Sequence, residues 1–225
     1  EARLTDAEFF WQKDKSQNLV KQVSNLKHMN YFKGLGSYFD KVQRLRKLGG
    51  MLSDELLISK EKAELSASIS KVDLLSELVG ESPELQGIMG GYFAEAQGFD
   101  KEVSLAVREH YLPSGIESKI PKKPYSLALS LSDKIDSLVG FFGINLKPTS
   151  SKDPYALRRS AIGLIRTILE NNKCFIQIEC LKGFEIKIDK FFQKLNYNKI
   201  FYKKSDNSEA YFSNFLNQDD INRLN

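Results

Sequence analysis

The sequence predicts an all-α fold, and two observations carry that prediction. Apolar residues recur every three or four positions in segment after segment, and strictly alternating runs that would mark half-buried strands are too short to build a sheet. The 225 residues are 41% hydrophobic and 28% charged, an ordinary globular balance. We expect a helical domain over 1–172 and a smaller helical segment over 173–225.

Thr5 followed by Glu8 has capping-box spacing, and Phe9, Phe10 and Trp11 come next, so a first helix is predicted from about Asp6. A second should run from Ser16 to Lys27. Leu35, Phe39, Val42, Leu45 and Leu48 form one stripe, predicting a helix that Gly49-Gly50 interrupts. Leu65, Ile69, Val72, Leu75 and Val79 predict another between Ser59 and Glu81, and Gly80 with Ser82-Pro83 gives a stop and a new start towards Gln97. Asp100 can cap a helix ending near Leu112, after which Pro113, Gly115, Pro121 and Pro124 predict an irregular connection. Leu127, Leu131, Ile135, Leu138 and Phe142 make the clearest stripe. Leu157, Ala161, Leu164 and Ile168 make another behind the start signal Asp153-Pro154. Past Asn171-Asn172 the texture changes to Lys, Asn, Ile and Phe, with helices expected over 185–195 and 208–224.

Composition removes several function classes. No apolar run approaches the length a bilayer requires. The opening residues lack both Met and a targeting pattern, which predicts a longer native protein, and Cys174 and Cys180 read as partly buried thiols of a reducing cytoplasm. Cys174 and Cys180 have no second pair for a zinc ribbon, and two histidines, His28 and His110, are too few for a multi-imidazole centre. Gly34-Leu35-Gly36 and Gly87 to Gly91 lack the strand-turn-helix setting of a phosphate loop, so close helix packing is expected of them. The net charge of +4 and pI near 8.8 permit a polyanionic partner without demanding one.

Five stretches resemble a known family. They are Ala2 to Phe10 (ARLTDAEFF), Lys71 to Gly90 (KVDLLSELVGESPELQGIMG), His110-Tyr111-Leu112-Pro113 with Ser132 to Gly140 (SDKIDSLVG), and Pro148 to Arg159 (PTSSKDPYALRR). Together these are similar to beta subunits of the bacterial two-subunit glycyl-tRNA synthetases, over residues 1 to about 170. The resemblance implies a ligase subunit that binds tRNA(Gly) and an alpha subunit, the latter activating glycine. ATP and Mg would serve the holoenzyme, no cofactor would be bound by this chain, and neither DNA nor a membrane is implied. Holding the tRNA 3′ end near the activated amino acid would make transfer effectively unimolecular.

The same family region resembles the His-Asp (HD) superfamily of metal-dependent phosphohydrolases. Asp73 and Asp133 fall where its two aspartates are expected, but Val72 stands where the paired His belongs. No His lies between Leu35 and Phe39, so the metal site is expected to be absent unless His28 or His110 contributes. Two buried carboxylates without a metal need hydrogen bonds or cations, and Lys71 and Lys134 are close in sequence.

Lys152, Arg158 and Arg159 crowd a helix start where the dipole gives cations no benefit, and Arg166 projects from the face of Arg159. These four are the candidate RNA-backbone contacts; a plain solvated basic face is the bland alternative. Phe191, Phe192, Tyr197, Phe201 and Tyr202 interleave with lysines, a pattern that a small helical core explains better than a stacking surface. A functional HD hydrolase and a docking scaffold remain the rival functions.

Overall fold

The computed structural model describes residues 2–171 apart from 116, 147 and 150–152, with backbone alone for 2–4. Lys152, the cysteines, and the segment 173–225 with its expected helices and aromatics lie outside the described residues. Within them the fold is all-α, with one two-stranded hairpin.

Helix α1 (Ala2–Lys15) starts before Asp6, so Thr5 and Glu8 lie inside it and form no cap. Trp11 stacks on Phe93, 5.3 Å between ring centroids, which docks α1 on the body. The long helix expected over 16–27 is instead the single turn α2 (Leu19–Gln22) followed by a 3-10 segment, Val23–His28. Ser24 Oγ donates to Lys21 O and Asn25 Nδ2 to Gln22 Oε1, local bonds that compete with an α-helical ladder.

Strands β1 (Asn30–Phe32) and β2 (Gly36–Ser37) pair antiparallel where a helix from Leu35 was expected. Gly34 and Gly36 adopt φ of +90° and +82°, a turn that other residues rarely make. Helix α3 (Tyr38–Leu56) then begins with a true capping box: Asp40 N–H donates to Ser37 Oγ, and Ser37 N–H to Asp40 Oδ2 at 2.7 Å. It runs through Gly49-Gly50, because these glycines let α4 (Lys60–Ile69) approach; a Cβ on Gly49 would sit 3.5 Å from Ala63 O.

The helix expected over 59–81 breaks after Ile69 into a 3-10 turn, Val72–Leu75, and the short α5 (Glu77–Glu81), capped by Ser76. On a continuous helix Lys71 and Asp73 would point to roughly opposite sides; the break buries both, each 1% exposed. Pro83–Leu85 is another 3-10 turn, and Gly87 at φ +76° separates it from α6 (Ile88–Ala96).

Asp100 caps α7 (Lys101–Glu109) by accepting from Glu102 N–H at 2.8 Å, the irregular connection follows, and Pro124 opens α8 (Pro124–Gly143). Helix α9 (Leu157–Leu169) starts where Asp153 accepts from the amides of Leu157 and Arg158. Helix α8 is central: α3, α4, α7 and α9 all pack against it, and it is buried on nearly every side. No helix among the described residues is long and apolar enough to cross a membrane.

Candidate functional site

The 3-10 turn after α4, α3, α7 and α8 converge on a buried ion cluster. Lys71 Nζ lies 3.0 Å from Asp133 Oδ1, and Lys41 Nζ lies 3.1 Å from that same oxygen and 3.0 Å from Asp136 Oδ2. Arg44 closes the outer side on Asp136 Oδ1 at 2.5 Å. Burial opposes charge on Lys41, but Asp133 and Asp136 more than offset it and hold its pKa above the usual lysine value. Burial likewise works against an ionised Asp133, yet Lys41 and Lys71 outweigh it and keep the carboxyl well below the carboxylate range. Lys71 comes out the other way: burial, aided by Lys41, brings it down to about 8 despite Asp133.

His110 is fully buried beside this cluster. Its Nδ1 is 2.6 Å from Val107 O, which can only accept, so the ring hydrogen sits on Nδ1 and Nε2 accepts from Lys71 Nζ at 2.9 Å. Burial and the Lys71 ammonium hold its pKa down to about 3. Lys71 also lies 3.9 Å from the Tyr111 ring centroid, so one ammonium faces a carboxylate, an imidazole and an aromatic face.

Asp73 is met by backbone instead of a cation. Its Oδ2 accepts from the amides of Gly87 at 2.5 Å and Gly90 at 3.2 Å at the start of α6. Burial raises its pKa to about 6 against the pull of the Gly87 amide, the Lys71 charge and the Gly90 amide. A Cβ at Gly90 would stand 3.0 Å from Val107 Cγ1 and 3.1 Å from Asp73 Cγ, so a side chain fits there only if these neighbours give by a few tenths of an ångström. Val72 is buried among apolar neighbours. Lys134, expected beside the aspartates, donates instead to Leu112 O at 2.6 Å and Ser130 Oγ at 3.1 Å, and burial lowers its pKa to about 8.

These residues do not fit the divalent metal of an HD hydrolase. A cation at Asp133 would meet two ammonium groups already within 3.1 Å of its oxygen, and the nearby imidazole presents its lone pair to one of them. His28 is exposed at the end of the 3-10 segment before β1, on a different element. Among the described residues no three His, Cys, Asp or Glu side chains group to hold a metal.

The basic residues of α9 separate into different roles. Arg159 is exposed. Arg158 donates to Thr149 O at 2.5 Å. Arg166 donates to Gly115 O and Ser118 O and pairs with Glu170 at 2.8 Å, tying the irregular connection to α9.

Sequence reasoning missed the aromatic assembly that the hairpin builds at the end of α8. Tyr155 stacks on Phe141 at 4.6 Å and 16°, and Phe32 meets both rings edge-on at 5.2 Å. Tyr31 packs against Phe141 and Tyr38, with Lys41 Nζ 4.7 Å from its centroid, so the assembly rests on the ion cluster. The alternation signal of strands this short is absent from sequence; Tyr31-Phe32 beside Lys33-Gly34 was the available cue.

Comparison with known proteins adds an independent line. The family model described as glycyl-tRNA synthetase beta subunit matches residues 1–218. The chain is similar to glycine-tRNA ligase beta subunits of Phenylobacterium zucineum (45% identity; 81% of this chain, 29% of that one), Pseudomonas savastanoi pv. phaseolicola (43%; 80% and 26%) and Acidithiobacillus ferrooxidans (44%; 75% and 24%). The chain thus spans 24 to 29% of the length of these relatives.

Proposed function

Since the chain belongs to the glycyl-tRNA synthetase beta subunit family, we propose that it is a helical, tRNA-positioning part of a cytoplasmic glycine-tRNA ligase. Glycine activation with ATP and Mg falls to the alpha subunit. The reading keeps the HD-like ancestry and drops its hydrolysis.

The buried cluster is the observation that carries this. Lys41 and Lys71 answer the charge of Asp133, and the amides of Gly87 and Gly90 hold Asp73, so the two carboxylates at the HD positions serve as internal struts. What the domain then offers a partner is shape and surface charge. A tRNA bound through its backbone needs only that.

Arg159→Glu in the complete beta subunit, assembled with its alpha subunit, tests the reading. Affinity for tRNA(Gly) should fall roughly tenfold at physiological salt, the slope of log K against log salt should become shallower by about 1, and KM for tRNA should rise with kcat little changed. Lys152→Glu and Arg158→Glu should act in the same direction. Unchanged affinity and slope in all three variants would leave a docking scaffold as the function of this segment.

A further inference from the structure

We propose that Tyr155 is a nucleobase-stacking residue that receives an unpaired nucleotide of RNA, with the exposed Lys33 of the hairpin tip and Arg159 of the first turn of α9 to meet the flanking phosphates. The inference rests on the tRNA-binding reading and goes further by naming the nucleotide's conformational class and the ring that takes it.

A ring present only to fill the core would be covered. Phe141 is 6% exposed, whereas Tyr155, stacked directly on it, keeps 37% of its surface open. The mount is rigid for its size. One face of Tyr155 lies on Phe141, its side meets Phe32 at 76°, and Phe32 itself is locked between these rings by the hairpin. The hairpin is seated on α8 in turn: a Cβ on Gly140 would come within 3.3 Å of Leu35, one on Gly34 within 3.3 Å of Ile144, and Arg44 donates to Leu35 O. A preorganised ring loses little entropy when a base stacks on it, and every base offers a π-face whatever its identity.

Cations flank the ring in the chain. Lys33 directly follows Phe32 at the hairpin tip, and Arg159 lies in the first turn of α9, which begins two residues after Tyr155; both are exposed. Within duplex RNA the bases are stacked on each other and only the end pairs show a free face, so an unpaired nucleotide is the species this arrangement selects.

The assembled ligase carrying Tyr155→Leu, Tyr155→Phe or Tyr155→Trp provides the test. Tyr155→Leu keeps the bulk but removes the π-face, and should weaken tRNA binding about tenfold with an unchanged salt slope. Tyr155→Phe should bind within twofold of the parent. In Tyr155→Trp, the fluorescence at position 155 should be quenched by a short single-stranded oligoribonucleotide and not by a blunt RNA duplex. Equal affinity of Tyr155→Leu and parent, or equal response of Tyr155→Trp to both probes, overturns the inference. If Arg159→Glu weakens binding while Tyr155→Leu does not, stacking fails and tRNA positioning survives; if neither Tyr155→Leu nor any of the three charge reversals does, both fail.

Discussion

Lys71 shows how much of this core depends on single atoms. Its ammonium faces Asp133, His110 Nε2 and the Tyr111 ring at once, and only Asp133 is formally negative. Removing a charged partner from such a site strands the other, which is why buried pairs of this kind persist even where an apolar core would be equally stable. The titrations of His110 and Asp73 oppose each other. His110, held down to about 3, binds fewer protons folded than unfolded, so it takes stability away as pH falls from about 6.5 towards 3. Asp73, raised to about 6, binds more protons folded, so it returns stability as pH falls from about 6 towards 4. Asp73→Asn keeps an acceptor for the Gly87 and Gly90 amides and removes the second titration. Its stability at pH 7 should equal or exceed that of the parent. Between pH 6.5 and 4 it should decline more steeply, by an extra amount on the order of 1 kcal/mol per pH unit, in urea titrations across that range. Parallel curves for the two proteins would contradict the assignment.

At the scale of elements, small residues decide how closely helices approach. A Cβ on Gly91 of α6 would lie 2.6 Å from Arg108 Cβ and 2.8 Å from Ser104 O on α7, and the backbone oxygen cannot rotate away. Gly91→Ala should therefore force α6 and α7 apart and cost about 1–3 kcal/mol, read as a lower thermal midpoint. Gly80→Ala meets nothing within 4 Å and should serve as the neutral control. The same spacing logic made the glycines of 87–91 legible in sequence as packing residues. It failed at Gly49-Gly50, where a pair that looks like a helix stop is a contact surface inside α3, because a glycine pair is identical in sequence whether it ends a helix or admits a neighbour.

Across the whole molecule, α8 joins two bodies of packing. Its first half, Tyr125 to Leu131, meets α3, α4 and α7, while Phe141 and Phe142 belong to the aromatic assembly with the hairpin and α9. Phe141 is the shared member, touching Tyr31, Phe32 and Tyr155. Phe141→Ala should cost about 3–5 kcal/mol and selectively speed amide exchange over residues 30–37, which lose their seat. Hairpin amides that stayed protected in the variant would show that β1 and β2 are held by something other than this ring.

Caps and long stripes were readable in the chain because they act between residues a few positions apart: Asp100 stands where α7 begins, and the Leu127 to Phe142 stripe lies within one helix, whereas Pro124, expected in the irregular connection, opens α8. The sequence by itself determined the all-α class and most helix locations. Only the tertiary structure decided that Lys41 and Lys71 would answer Asp133, that His110 would face an ammonium, and that two strands of two and three residues would hold up Tyr155. The reason is range: hydrophobic periodicity and capping are local, whereas a counterion 95 residues from its carboxylate, as Lys41 is from Asp136, leaves no trace in the pattern around either one.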